Sequence, residues 1–193
     1  SFCNDLERIK AQLQVLDPLQ QPTLMEAPAH ALQGLGNQRF ELLIGRNLLQ
    51  GANDATLQRW AGQLEDLLYS DAEVHLLSSH PQGGPAELIG SEHKDLIEAE
   101  QRWLAERQSL GHLQELLKAA GWNMTLESWS DQVNLQLDPM LLTRWFSEQA
   151  TYRQWMQSQV DNDALTSLAE SYQRRLGTKL RQTISHQHLI ARR

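Results

Sequence analysis

Between residues 39 and 79 the sequence sets an apolar run, a helical stripe and a second apolar run in immediate succession, and few folds accommodate that order. The first run, RFELLIG at 39–45, lies between the turn signal Gly34-Leu-Gly36-Asn37 and Gly45. It is shorter than the roughly 10 to 12 residues a helix needs, so it reads as a fully buried strand. Within 48–68, Leu57, Trp60, Ala61, Leu64, Leu67 and Leu68 recur at helical spacing behind an N-cap at Asn53 or Asp54. The second run, EVHLLSS at 73–79, closes on the loop His80-Pro-Gln-Gly-Gly-Pro85. Strand, helix and strand joined by connections of about 5 residues form a βαβ unit, which pairs its strands in parallel and covers both faces with helices. The expected class is α/β: an open sheet with helices on both faces.

The flanking segments fit that class. Leu6, Ile9, Leu13 and Leu16 predict a helix over 4–16 with Asn4 or Asp5 as N-cap, ended by Asp17-Pro18, and PTLMEA at 22–27 predicts a short strand. Downstream, 92–105 and 112–122 read as helices, the second closed by Gly121. The alternating stretch 123–137 reads as a strand with one solvated face or as two short strands. Asp138-Pro139 opens another helix, and 151–159 and 163–180 are helical; 86–122 and 138–180 are thus mainly helical. TISHQHLIARR closes the sequence as a strand with Ile184, His186, His188 and Ile190 on one face and Leu189 on the other.

Composition narrows the function classes. At 193 residues the chain can bury one good core or at most two small ones, and 1–193 reads as a single domain. No apolar run approaches the roughly 20 residues of a membrane span, and the N-terminal segment lacks the basic start and apolar stretch of a secretory signal. Cys3 is the only cysteine, which forbids an internal disulfide and fits a reducing, cytoplasmic setting. The net charge of -7 argues against a general nucleic-acid surface. After Glu170, however, the chain carries Arg174, Arg175, Lys179, Arg181, Arg192 and Arg193 and no acid, either a weak basic patch or a solvated helix face plus a charged terminus.

Taken in order, PTLMEA, RFELLIGRN, EVHLLSS, LESWSDQVNLQL and TISHQHLIARR, with their intervening helices, resemble strands three to seven of a class I S-adenosylmethionine-dependent methyltransferase. That resemblance implies a partial Rossmann-like sheet whose last strand runs antiparallel between its neighbours. RFELLIGRN, then LLKAAGW leading into a strand, LLTRWF and HLIARR are similar, in this order, to the methyltransferase-like extension fused behind AAA+ ATPases of the replication-associated recombination type. The likeness implies a parent ATPase domain, a DNA replication and recombination context, and S-adenosylmethionine as the parent's cofactor. Strands one and two and their glycine-rich loop have no counterpart, and no G-x-G-x-x-G occurs. The expectation is therefore a fragment that binds no cofactor alone, either part of an enzyme or a non-enzymatic scaffold. A second departure is Tyr69-Ser-Asp-Ala72, where related domains place a glycine-containing turn.

Ligands of open α/β sheets sit beyond the carboxyl ends of the strands, here Glu26-Ala27, Gly45-Arg46-Asn47 and Ser78-Ser79-His80. The resemblance puts Glu26, Ala27 and Gly45 on the cofactor side, with Glu26 accepting from the adenine amine. It puts Asn47 where the group to be methylated is oriented, beside Arg46 as a partner for phosphate or carboxylate. The plainer readings are a solvated Glu26, an Asn47 that caps the next helix, and an exposed Arg46. A backbone turning sharply at a strand end favours glycine, which suits Gly45. His186 and His188 have the spacing of two metal ligands on a strand, with His75 and His80 on or beside another, but no third ligand is supplied and no metal is expected. The six tryptophans fit core packing, Glu98 and Glu100 a solvated helix face, and the missing G-x-S-x-G elbow leaves no Ser-His-Asp order to assign. Absent strands one and two, an uncovered sheet edge implies a homodimer or a re-paired edge.

Overall fold

The computed structural model describes residues 39–49, 51–106 and 110–193. The helix expected at 4–16, the strand at 22–27, Glu26, Ala27 and Cys3 lie outside the described residues. Among the described residues the sheet has four strands: β1 (Phe40–Arg46), β2 (Leu68–Pro81), β3 (Asn123–Gln136) and β4 (Lys179–Arg192), in the order β1-β2-β4-β3. β1 and β2 pair in parallel, as the βαβ reading requires, while β4 lies between β2 and β3 and runs antiparallel to both. The class is thus the expected α/β sheet with an antiparallel last strand.

The connecting helix α1 (Asp54–Leu67) starts where the sequence signals it, with Asn53 Oδ1 accepting from Thr56 N at 2.9 Å. It ends without a loop: Leu68 is both its C-cap and the first residue of β2. Tyr69-Ser-Asp-Ala72 therefore belongs to the strand, and the missing glycine turn reflects a helix that passes straight into extended chain. A register irregularity between Phe40 and Leu42 absorbs the mismatch with β1. β2 and β4 each run 14 residues, beyond the runs that marked them, and β3 fills its expected span as one strand of 14 residues rather than two.

The other helices are α2 (Pro85–Leu88), α3 (Lys94–Glu106), α4 (Leu110–Ala119), α5 (Pro139–Phe146), α6 (Thr151–Gln157) and α7 (Asn162–Gln173). α7 stops short of the expected 180 because the chain re-enters the sheet at Lys179. Leu57, Trp60 and Leu64 of α1 and Leu113 and Leu117 of α4 pack on Val74, Leu76, Leu189 and Ala191, forming one core on one face of the sheet. A second core joins α2, α3, α5, α6 and α7 through Leu96, Leu142, Phe146, Met156 and Tyr172, and includes Leu137 at the end of β3. The described residues thus build two small cores.

β1 is the terminal strand of the described sheet, and it is not fully buried as its apolar run suggests. Leu42 and Ile44, on the face opposite α1, are 51% and 74% exposed. Along that face also lie His75, Leu77, Trp129, His186 and His188, and none of them belongs to either core.

Caps fix the helical layer. Asp138, extended at φ -122°, accepts from Leu141 N at 2.7 Å and opens α5 with Pro139 in its first turn. Asp138→Ala should cost about 1 kcal/mol. A thermal melt should register it as a fall of about 2–4 °C in Tm.

Candidate functional site at the strand ends

β1 and β2 deliver their carboxyl ends side by side. Asn47 follows β1 with φ 53°, and its N donates to Leu77 O at 2.8 Å, extending the parallel ladder by one residue. Its Oδ1 accepts from Ser79 N at 2.8 Å. Asn47 thus caps no helix, a role that Asn53 fills; it ties the two strand ends together and keeps its amide N–H groups as donors. The left-handed residue at this end is Asn47 and not Gly45, which remains within β1. Asparagine tolerates that conformation because its short amide bonds locally.

Gly45 answers a packing demand. A Cβ there would lie 2.1 Å from Leu48 Cδ1 and 3.0 Å from Leu76 Cδ2, so Leu48 closes directly over the backbone. The hollow between Gly45, Asn47, Leu76 and Ser78 measures about 10 Å³, about the least that holds one water. Arg46 is exposed and makes no ion pair among the described residues, which leaves it available to an anion.

On the face away from α1, histidines and acids interleave. His75 meets His188 at 3.1 Å and Glu73 at 3.0 Å, and His188 faces Glu127 at 3.6 Å. Glu73 also accepts from Arg192 Nε at 2.7 Å, and the His75 and Arg192 hydrogen bonds hold its carboxyl below the usual carboxylate range. His186 lies 2.9 Å from Ser79 Oγ and 3.5 Å from Asp131. His80 is held below the ordinary imidazole range, first by burial and then by the nearby His186, and its Nδ1 is buried without a partner. Among the described residues no three ligands converge on a metal position. The basic closing segment is partly neutralised, since Arg174, Arg192 and Arg193 pair with Glu170, Glu73 and Glu65. Among the described residues no helix is long and apolar enough to cross a membrane.

Two readings of the sequence are corrected here. Trp129 is no core residue: it is 43% exposed and stacks on His186. Glu100 is not on a solvated face, because it is fully buried where α2 begins. Its Oε1 accepts from Ala86 N at 2.6 Å and from Tyr152 OH, and its Oε2 from Glu87 N at 3.2 Å. Burial raises its pKa against the pull of these donors. Burial also raises both tyrosines beside it, and the Glu100 charge adds to the effect; Tyr172 OH donates to Pro85 O at 2.7 Å. Glu100 holds the segment that follows β2, and a signal for it was present. It stands four residues after Leu96, on the buried stripe of α3.

No family model matches the chain, and no curated protein does. Among solved structures, it superposes on a candidate methyltransferase from Bacillus halodurans C-125 with a TM-score of 0.51 and 12% identity, over 97% of this chain and 77% of that one. A candidate type II methyltransferase from Anaeromyxobacter dehalogenans gives a TM-score of 0.49 and 13% identity, over 95% of this chain and 77% of that one. The first likeness shows a shared fold: the sheet and its helices are arranged as in a Rossmann-like, methyltransferase-type domain.

Proposed function

We propose that this chain is part of a methyltransferase-like domain carried by an AAA+ ATPase of the replication and recombination type, and that it holds no S-adenosylmethionine by itself. The observation that supports the methyltransferase reading is the strand order, with β4 antiparallel between β2 and β3 and a parallel β1–β2 pair beside them. The ATPase context rests on the likeness of RFELLIGRN, LLKAAGW, LLTRWF and HLIARR described above.

The described residues hold only part of the cofactor side, since Glu26 and Ala27 lie outside them. At Gly45, the cofactor-side position among the described residues, the Leu48 side chain closes over the backbone. No methyl-transfer step is assigned to these residues. The acceptor side is furnished instead: Arg46 offers a cation and Asn47 an amide donor at the strand end. The filled position at Gly45 equally favours a scaffold that keeps the fold without the reaction.

Calorimetric titration separates these. S-adenosylmethionine should give no binding heat with the 193-residue chain, and should give heat with a longer parent chain that supplies a strand and glycine-rich loop upstream. Binding heat from the 193-residue chain would overturn the proposal, and silence from both chains would leave the scaffold.

A further inference from the structure

Three strands each place one side chain at the same point on the open face of the sheet. Ser79 of β2 and Trp129 of β3 flank His186 of β4 in register, and Asp131 stands two residues beyond Trp129. Ser79 Oγ is 2.9 Å from His186 Nδ1, and His186 Nε2 is 3.5 Å from Asp131 Oδ2. The indole of Trp129 stacks on the imidazole with 5.2 Å between centroids and 18° between planes, which restrains its rotation.

The chemistry follows from that order. The Asp131 carboxylate draws the imidazole N–H to Nε2, so Nδ1 presents its lone pair to the Ser79 hydroxyl. A hydroxyl, an imidazole and a carboxylate linked this way make serine a nucleophile, and the constellation is recognised by geometry and not by sequence position. Strand pairing does here what a nucleophile elbow does elsewhere. The remaining charged or titratable groups around His186 are His80 on β2, Arg46 on β1, and His188 along β4 with its partners His75 and Glu127. Beside the constellation opens a cleft of about 480 Å³, walled mainly by Leu42, Ile44, Leu77 and Trp129, with His75 and His188 also in the lining.

We propose that Ser79, His186 and Asp131 form an acyl-transfer site for small esters with an apolar acyl group, independent of the methyltransferase reading. Ser79 Oγ bonds to the ester carbonyl carbon while its proton passes to His186 Nδ1. The carbon–oxygen bond to the alcohol then breaks, and the alcohol leaves with that proton. Water enters by the same route in reverse: His186 takes its proton, hydroxide adds to the acyl-serine, and Ser79 is released with the acid.

An alkyl fluorophosphonate tests this on the full chain. The Ser79 Oγ–phosphorus bond should form as fluoride leaves, and peptide mass spectrometry should find the adduct on Ser79. Ser79→Ala should abolish the adduct, and Ser128→Ala, on the other face, should keep it. Asp131 has a side chain 64% exposed, so Asp131→Asn should leave the fold intact in circular dichroism while slowing labelling at least tenfold. His186→Gln should do the same, and p-nitrophenyl acetate hydrolysis should fall in parallel. No adduct on Ser79 in folded protein at pH 8, or labelling equally fast in Asp131→Asn and His186→Gln, would overturn the proposal.

Discussion

Glu100→Ala should destabilise the domain by about 3–5 kcal/mol, the cost of leaving three buried donors without an acceptor and of the void that opens beside them. Alanine would leave Ala86 N, Glu87 N and the Tyr152 hydroxyl without an acceptor in a site closed to water. A Cβ on Gly84 would lie 2.4 Å from Glu100 Cδ, so the backbone has come as close to this carboxyl as glycine permits, and removal leaves a void there. Tm should fall by on the order of 10 °C. The loss should also depend on pH. Because burial raises the folded pKa above the unfolded value near 4.5, the native state keeps a proton that the unfolded chain has released. Stability from this group is therefore full at acid pH and declines as pH rises through the window between the two values. Urea melts across that window should show wild type losing stability with a slope that Glu100→Ala lacks, so the gap between them narrows towards neutrality.

Trp60→Ala should cost a similar amount, about 3–5 kcal/mol, by opening a cavity at the centre of the first core. Trp60 is fully buried on α1, in the cluster formed with α4 and the faces of β2 and β4. Its Nε1 is buried with no partner, so the indole contributes volume and not a hydrogen bond. Trp60→Phe should therefore recover most of the loss, since it removes an unsatisfied donor together with only part of the ring. The midpoints of chemical denaturation for the two variants check this; equal losses would show that the indole N–H matters more than its volume.

The fold was legible wherever side-chain periodicity alone decides structure. RFELLIG, the stripe from Leu57 to Leu67 and EVHLLSS declared strand, helix and strand, and the parallel pairing followed from their spacing. The lengths of β2 and β4 were not legible, because residues such as His80 and Gln182 become strand through pairing with Ser185 and Val133, partners the sequence does not name. The site divides the same way. The place of Gly45, Arg46 and Asn47 at a strand end was legible, but the contact of Asn47 with Ser79 crosses 32 residues. The approach of His186 to Ser79 crosses 107 and depends on register. Glu100 was misread because its acidity was weighed and its place on the stripe was not.

β4 follows every other described strand in the chain, yet it is the one that joins β2 to β3. A ribosome releases β1, α1 and β2 early enough for them to pair, whereas β3, 14 residues long and exposed along most of its length, emerges with no described strand to receive it. Its edge stays open while α5, α6 and α7 are made, until the arrival of Lys179–Arg192 closes both ladders at once. Translation thus leaves a sticky intermediate whose lifetime is set by the synthesis of residues 137–192, at about 5–20 residues per second a matter of seconds. Synonymous codons in that stretch, which alter no atom of the finished protein, bear directly on how much of it survives to fold.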